Sequence, residues 1–171
     1  FNRSIVSNGS VSYYNTRFVN FFGSNFSAGT SVNITNGSVA QIAAIYRNSS
    51  LNMINASSGN FSQSYFYNTT SVMRNLVSFY MFNSSLESGT LNLFNTTNMA
   101  DLVNLTSTSN ALINITTAAR ITNSSLENGS RLVVSNAPIV IVDSYIEEYN
   151  FTNANLSIAR ENSVEVNFTS L

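Results

Sequence analysis

The chain has 171 residues, enough for one ordinary core and short for two domains. Charged residues make up only 9% and the net charge is −1, which argues against nucleic acid as a partner. There is no His and no Cys, and all seven basic residues are Arg, so Ser-His-Asp and Cys-His catalysis, the usual zinc sites, disulfides and Schiff-base chemistry are excluded.

Hydrophobic residues reach 43% and aromatics 12%, too many for a disordered chain. The longest apolar runs, such as 79–82 and 137–142, fall far short of the ~20 residues of a membrane-spanning helix, so no span is expected. Opening on Phe1, the chain reads as a precursor with its leader removed or as a piece of a longer protein.

Residues 1–82 hold 15 of the 20 aromatics, including Phe18, Phe21, Phe22, Phe26 and the run Tyr65-Phe66-Tyr67. They read as longer or irregular coils with corners at Asn25, Asn48 and Asn68. Two explanations of the aromatics stay open: a thicker core with a looped-out insertion, or a face buried against another subunit. From residue 83 a period is clear. Polar corners fall at Asn83, Asn104, Asn123, Asp143 and Asn162, spaced by 21, 19, 20 and 19 residues. Leu86, Ser107, Leu126 and Ile146 each follow a corner by three residues. Next come Leu91 and Leu93, Leu112 and Ile113, then Leu132 and Val134. A third cluster closes each unit: Met99 and Leu102, Ala119 and Ile121, Ile139 and Ile141, Leu156 and Ile158. The best helical candidate, Met99 to Leu105, is only two turns long, so the chain reads as all-β.

A unit of about 20 residues with three short apolar clusters cannot bury its own apolar face, whereas stacked copies bury it in a continuous core. The stretch NSSLENGSRLVVSNAPIVIVDSYI (123–146) resembles the right-handed parallel β-helix repeats of microbial surface proteins, phage tailspikes and pectate-lyase-like enzymes. The resemblance implies a single β-solenoid domain, with 1–82 irregular and 83–171 regular. The alternative is a β-sandwich whose neighbours are linked by strand donation.

The dominant motif is the N-glycosylation sequon, Asn-Xaa-Ser/Thr. Of 28 Asn, 18 open one, where independent placement of 44 Ser and Thr predicts about seven. The acceptors expected to carry glycans are Asn8, Asn25, Asn36, Asn48, Asn55, Asn60, Asn68, Asn83, Asn95, Asn104, Asn123, Asn128, Asn150, Asn155 and Asn167; Asn48, Asn83, Asn123 and Asn128 should face solvent at corners. Asn114, between Ile113 and Ile115, is placed within a strand. Asn also suits corners because it tolerates left-handed backbone, and stacked amides form ladders.

Other chemistry rests on carboxylates. Glu87, Glu127 and Glu147 each lie four residues after a corner, which sets the last two on adjacent coils about 5 Å apart. Such a cluster reads as a solvated corner first, then as a Ca²⁺ site built from Asp143, Glu127 and Glu147, then as a pair for glycosidase-type acid/base work. Residues 1–86 carry four Arg and no acid, while 87–171 carry eight acids and three Arg. The expected function is a structural, glycan-coated extracellular scaffold that assembles with copies of itself, not an enzyme, with no cofactor. The alternatives are an adhesin contacting glycans through Tyr65 to Tyr67 and, after it, a polysaccharide lyase or hydrolase using Glu127 and Glu147.

Overall fold

The structure, a computed structural model, describes residues 3–37 and 39–159. Among them are twenty strands and no helix, and every strand pair is parallel. The chain is a parallel β-solenoid of eight coils of about 20 residues. Parallel pairing throughout excludes the hairpin-built sandwich, whose sheets are antiparallel.

Each coil has three sides. Coil 4 is representative: Tyr65–Tyr67 forms the first face, Thr70–Arg74 the second and Ser78–Phe82 the third. These pair with Ser85–Glu87, Thr90–Phe94 and Ala100–Val103 of coil 5. Four longer strands, Phe18–Ser27, Val39–Arg47, Ser125–Ser135 and Tyr145–Thr152, bend round a corner and serve two faces. The segment expected to be the best helix lies largely within Ala100–Val103, because its apolar residues alternate inward under cross-coil pairing.

Corners are made by left-handed residues. Among the described residues twenty-one non-glycine residues have positive φ, and fifteen of them are Asn. Asn enters this region at low cost because its short amide bonds locally. One such residue turns the chain and points its successor inward: Ser64, Thr69 and Leu76, all buried, follow Gln63, Asn68 and Asn75. Alternation then supplies the core, with Leu91 and Leu93 stacked on Ile113 and Ile115, and these on Leu132 and Val134. The expected pairing of Leu112 with Ile113 is thereby corrected. Coil 6 has one residue more than coil 5 at the corner holding the left-handed pair Ser109–Asn110, so Ile113 and Ile115 point inward and Leu112 is half-exposed.

Strand pairing runs on from coil 4 into coil 5, so residue 82 marks no break in stacking and no looped-out insertion is present in the described part; the register shifts at a corner in both halves, between Phe22 and Ser24 and between Leu126 and Arg131. The aromatics of coils 1–4 divide instead. Phe21, Phe26, Tyr46, Phe61, Phe66 and Phe79 fill a thick core, with Phe26, Tyr46 and Phe66 stacked at 5.0 and 5.1 Å. Phe18, Phe22, Tyr67 and Tyr80 face outward. Asn25 is not a corner: it lies inside Phe18–Ser27, and Gly23 makes the turn. Asn162 lies outside the described residues.

Inward-facing serines tie the coils together. Ser84 Oγ accepts from the Ser64 amide (3.1 Å) and donates to the Phe82 carbonyl (3.0 Å). Ser124 and Ser144 repeat this against Leu105 and Ser124. A buried hydroxyl at this turn thus satisfies a backbone amide that has left the strand ladder.

Candidate functional site

Asn at the corners forms rows along the axis. Asn36, Asn55, Asn75 and Asn95 occupy the third corner of successive coils. Each amide nitrogen donates to the preceding carboxamide oxygen, at 3.3, 2.9 and 2.8 Å. The same bond joins Asn68 to Asn48 (2.9 Å), Asn104 to Asn83 (2.9 Å) and Asn153 to Asn136 (3.1 Å). Each rung leaves the second amide hydrogen outside that bond.

Of the residues expected to carry glycans, ten are left-handed corners: Asn8, Asn36, Asn48, Asn55, Asn68, Asn83, Asn95, Asn104, Asn123 and Asn128. All are exposed except Asn104, which is half-buried. Asn25, Asn60, Asn150 and Asn155 sit in strands, and Asn167 lies outside the described residues. Asn114 is inside Leu112–Thr116 and donates to Asn92 at 2.8 Å, a rung of a second kind on the outer surface of a face.

The carboxylates lie in one outward column. Glu87 pairs with Thr108 on the next coil, and Glu127 and Glu147 directly follow the paired Leu126 and Ile146. Glu127, Asn128, Tyr145 and Glu147 line an open hollow of about 400 Å³. Glu127 accepts from Ser125, and Glu147 from the Gly129 amide at 3.2 Å. Asp143 does not join them. It is the left-handed corner residue of coil 8 and borders a different hollow with Asn104 and Asn123. Among the described residues no three His, Cys, Asp or Glu come together to hold a metal, so the expected Ca²⁺ site is not assembled. Glu148 is taken by Arg131 (3.0 Å), and Asp101 by Arg120 (3.2 Å).

The aromatic run expected to face a glycan is split by alternation. Phe66 is in the core, Tyr67 is exposed, and half-buried Tyr65 donates its hydroxyl to Glu87 at 2.5 Å. That hydrogen bond, with partial burial and the charge of Glu87, raises the Tyr65 pKa.

No family model matches the chain, and no curated protein is detectably similar in sequence. Among solved structures it is similar to HetL, a pentapeptide repeat protein involved in heterocyst differentiation regulation from the cyanobacterium Nostoc sp. strain PCC 7120. The two share 11% identity over 91% of this chain and 86% of HetL, with a TM-score of 0.31. The solenoid described above stands on its own strand register, and no role carries over from so distant a likeness. No described helix is long and apolar enough to cross a membrane.

Proposed function

We propose that the chain is a structural element: a stiff, N-glycosylated segment of an extracellular filament or surface layer, assembling with copies of itself. One observation carries the glycosylation. Ten of the fifteen left-handed Asn have Ser or Thr two residues on, against two of the six other left-handed non-glycine residues, Ala28 and Ser88. The local backbone is alike in both groups. A turn that merely wanted a hydroxyl at that position would ask for one whichever residue makes the corner. The hydroxyl follows the Asn, as an acceptor sequence requires.

Stacking sets how the sugars are distributed. Neighbouring coils are about 4.8 Å apart, so Asn83, Asn104 and Asn123 crowd one another, as do Asn48 and Asn68. Partial occupancy is therefore expected within a row, with the isolated corners Asn8, Asn95 and Asn128 filled most completely. Intact mass of the secreted protein, before and after deglycosylation, tests the reading. A mass equal to the bare 18.7 kDa chain refutes it.

Self-assembly is supported by charge. Chain order is axial order in a solenoid, so the four Arg of residues 3–74 lie towards one end, and six carboxylates against two Arg lie towards the other. Opposite ends steer head-to-tail association. Sedimentation at low and high salt is the measurement. Association weakened by salt supports this arrangement, and association indifferent to salt removes it.

A further inference from the structure

One corner of the stack is missing. Between Ile42 and Ile45 stand two residues, Ala43 and Ala44, where the coils on either side have three. Neither has positive φ, whereas Gly23 and Gln63 do at the neighbouring corners of that row. The chain cuts straight across and leaves a notch. Its main hollow, about 360 Å³, is bordered by Asn20, Phe22, Ala43, Asn60, Gln63 and Tyr80. A second of about 240 Å³ shares Phe22, Ala43 and Gln63.

The walls are aromatic and the floor is small. Down one outward column run Phe22, Ala43, Ser62 and Phe82, fixed by the pairings Phe22 with Ala43 and Ser62 with Phe82. The two aromatics are three coil spacings apart, about 14 Å. Tyr80 lies beside Phe82 with ring planes within 10° and centroids 6.2 Å apart. Phe22 is 56% exposed and Tyr80 39%. Asn20, Asn60, Ser62 and Gln63 supply amide and hydroxyl groups, and among the described residues no charged side chain lines either hollow.

We propose that this notch is a docking site for an uncharged saccharide. A sugar ring offers a C–H face to an aromatic wall and a rim of hydroxyls to amides. A charged ligand finds no counter-charge here, and a purely apolar one leaves several polar groups unmatched. The occupant is the glycan of Asn60 itself. Asn60 opens Asn60-Phe61-Ser62 and pairs in register with Tyr80 on the adjacent coil, so a glycan on its amide nitrogen starts inside the slot. This assignment rests on the glycosylation reading, and a saccharide carried by another molecule is the other outcome of the test.

Two arms distinguish them. Protein made without glycosylation is titrated with maltotriose, chitotriose and mannotriose and followed by NMR. Binding is expected, weakened about five-fold by Tyr80→Ala and by Phe22→Ala and unchanged by Tyr67→Ala, whose ring lies outside the notch. Both weakening substitutions are at outward positions, so the core is untouched, and far-ultraviolet circular dichroism verifies folding. Protein secreted from glycosylating cells is mapped by glycopeptide mass spectrometry. Occupied Asn60, with sugar resonances that move on Tyr80→Ala, identifies its own glycan as the occupant. Occupied corners with bare Asn60 and no titration response overturn the notch and leave the glycosylation reading standing. No occupied sequon anywhere overturns that reading, and the titration alone then decides the notch: binding upholds it, and none overturns it.

Discussion

Replacing Tyr46 by Phe should stabilise the protein, and the size of the gain depends on pH. Tyr46 is fully buried, with its ring between Phe26 and Phe66, and its hydroxyl has no hydrogen-bond partner among the described residues. An unmatched buried hydroxyl costs about 1–3 kcal/mol, because the unfolded chain hydrates it. Phe keeps both ring stacks and removes that cost, so a gain of about 1 kcal/mol, or about 3 °C in Tm at this chain length, is expected at pH 7. Burial also drives the phenol pKa far above its ordinary value. The folded state therefore keeps its proton where the unfolded state, near 10, loses it. Stability from this group is intact below pH 10 and is lost above it, at about 1.4 kcal/mol per pH unit. The variant lacks this loss, so its advantage should widen to about 2.4 kcal/mol at pH 11. Equilibrium denaturant unfolding at pH 7 and pH 11, followed by circular dichroism, reads both values. Equal stability of the two proteins, or a gap that does not grow with pH, refutes the burial of an unmatched phenol.

The corner ladder, the serine turns and two glycines give further tests by the same unfolding assay. Asn75 opens no sequon, so its substitutions report on the ladder without glycans; losing its bonds to Asn55 (2.9 Å) and Asn95 (2.8 Å) should cost about 1–2 kcal/mol as Gly. Asn75→Ala should cost about 1 kcal/mol more, because only glycine takes φ of 54° without penalty. Ser84→Ala should lose about 1–3 kcal/mol by orphaning the Ser64 amide, whereas Ser107→Ala, whose buried hydroxyl has no partner among the described residues, should be neutral or stabilising. Gly89→Ala brings a methyl group to 2.6 Å from the Thr69 carbonyl oxygen and should cost about 2 kcal/mol; Gly59→Ala meets the movable Met53 sulfur at 2.9 Å and should cost less.

Much of the architecture was legible without coordinates. Stacked coils of about 20 residues, the corners Asn83, Asn104, Asn123 and Asp143, and the inward column Leu86, Ser107, Leu126 and Ile146 all follow from local chemistry. A left-handed Asn and a short alternating run each report their own conformation, and repetition makes them readable. Acceptor sequences are equally local, so the excess of sequons needed no fold to be noticed.

What the chain could not show by itself is which residues share a row. Row membership depends on pairing between coils, and each inserted or deleted residue shifts that pairing for one corner alone. The sequence therefore grouped Asn25 with Asn48 and Asn68 as corners, whereas Asn25 lies inside a strand and Gly23 makes that turn. It joined Leu112 to Ile113, although the one extra corner residue of coil 6 turns Ile113 and Ile115 inward. It gathered Asp143 with Glu127 and Glu147, although Asp143 stands at a corner away from their hollow. The unmatched Tyr46 hydroxyl and the notch at Ala43 arise the same way. Only stacking decides which neighbours a buried hydroxyl meets, and only comparison with the coils on either side reveals that a corner is absent.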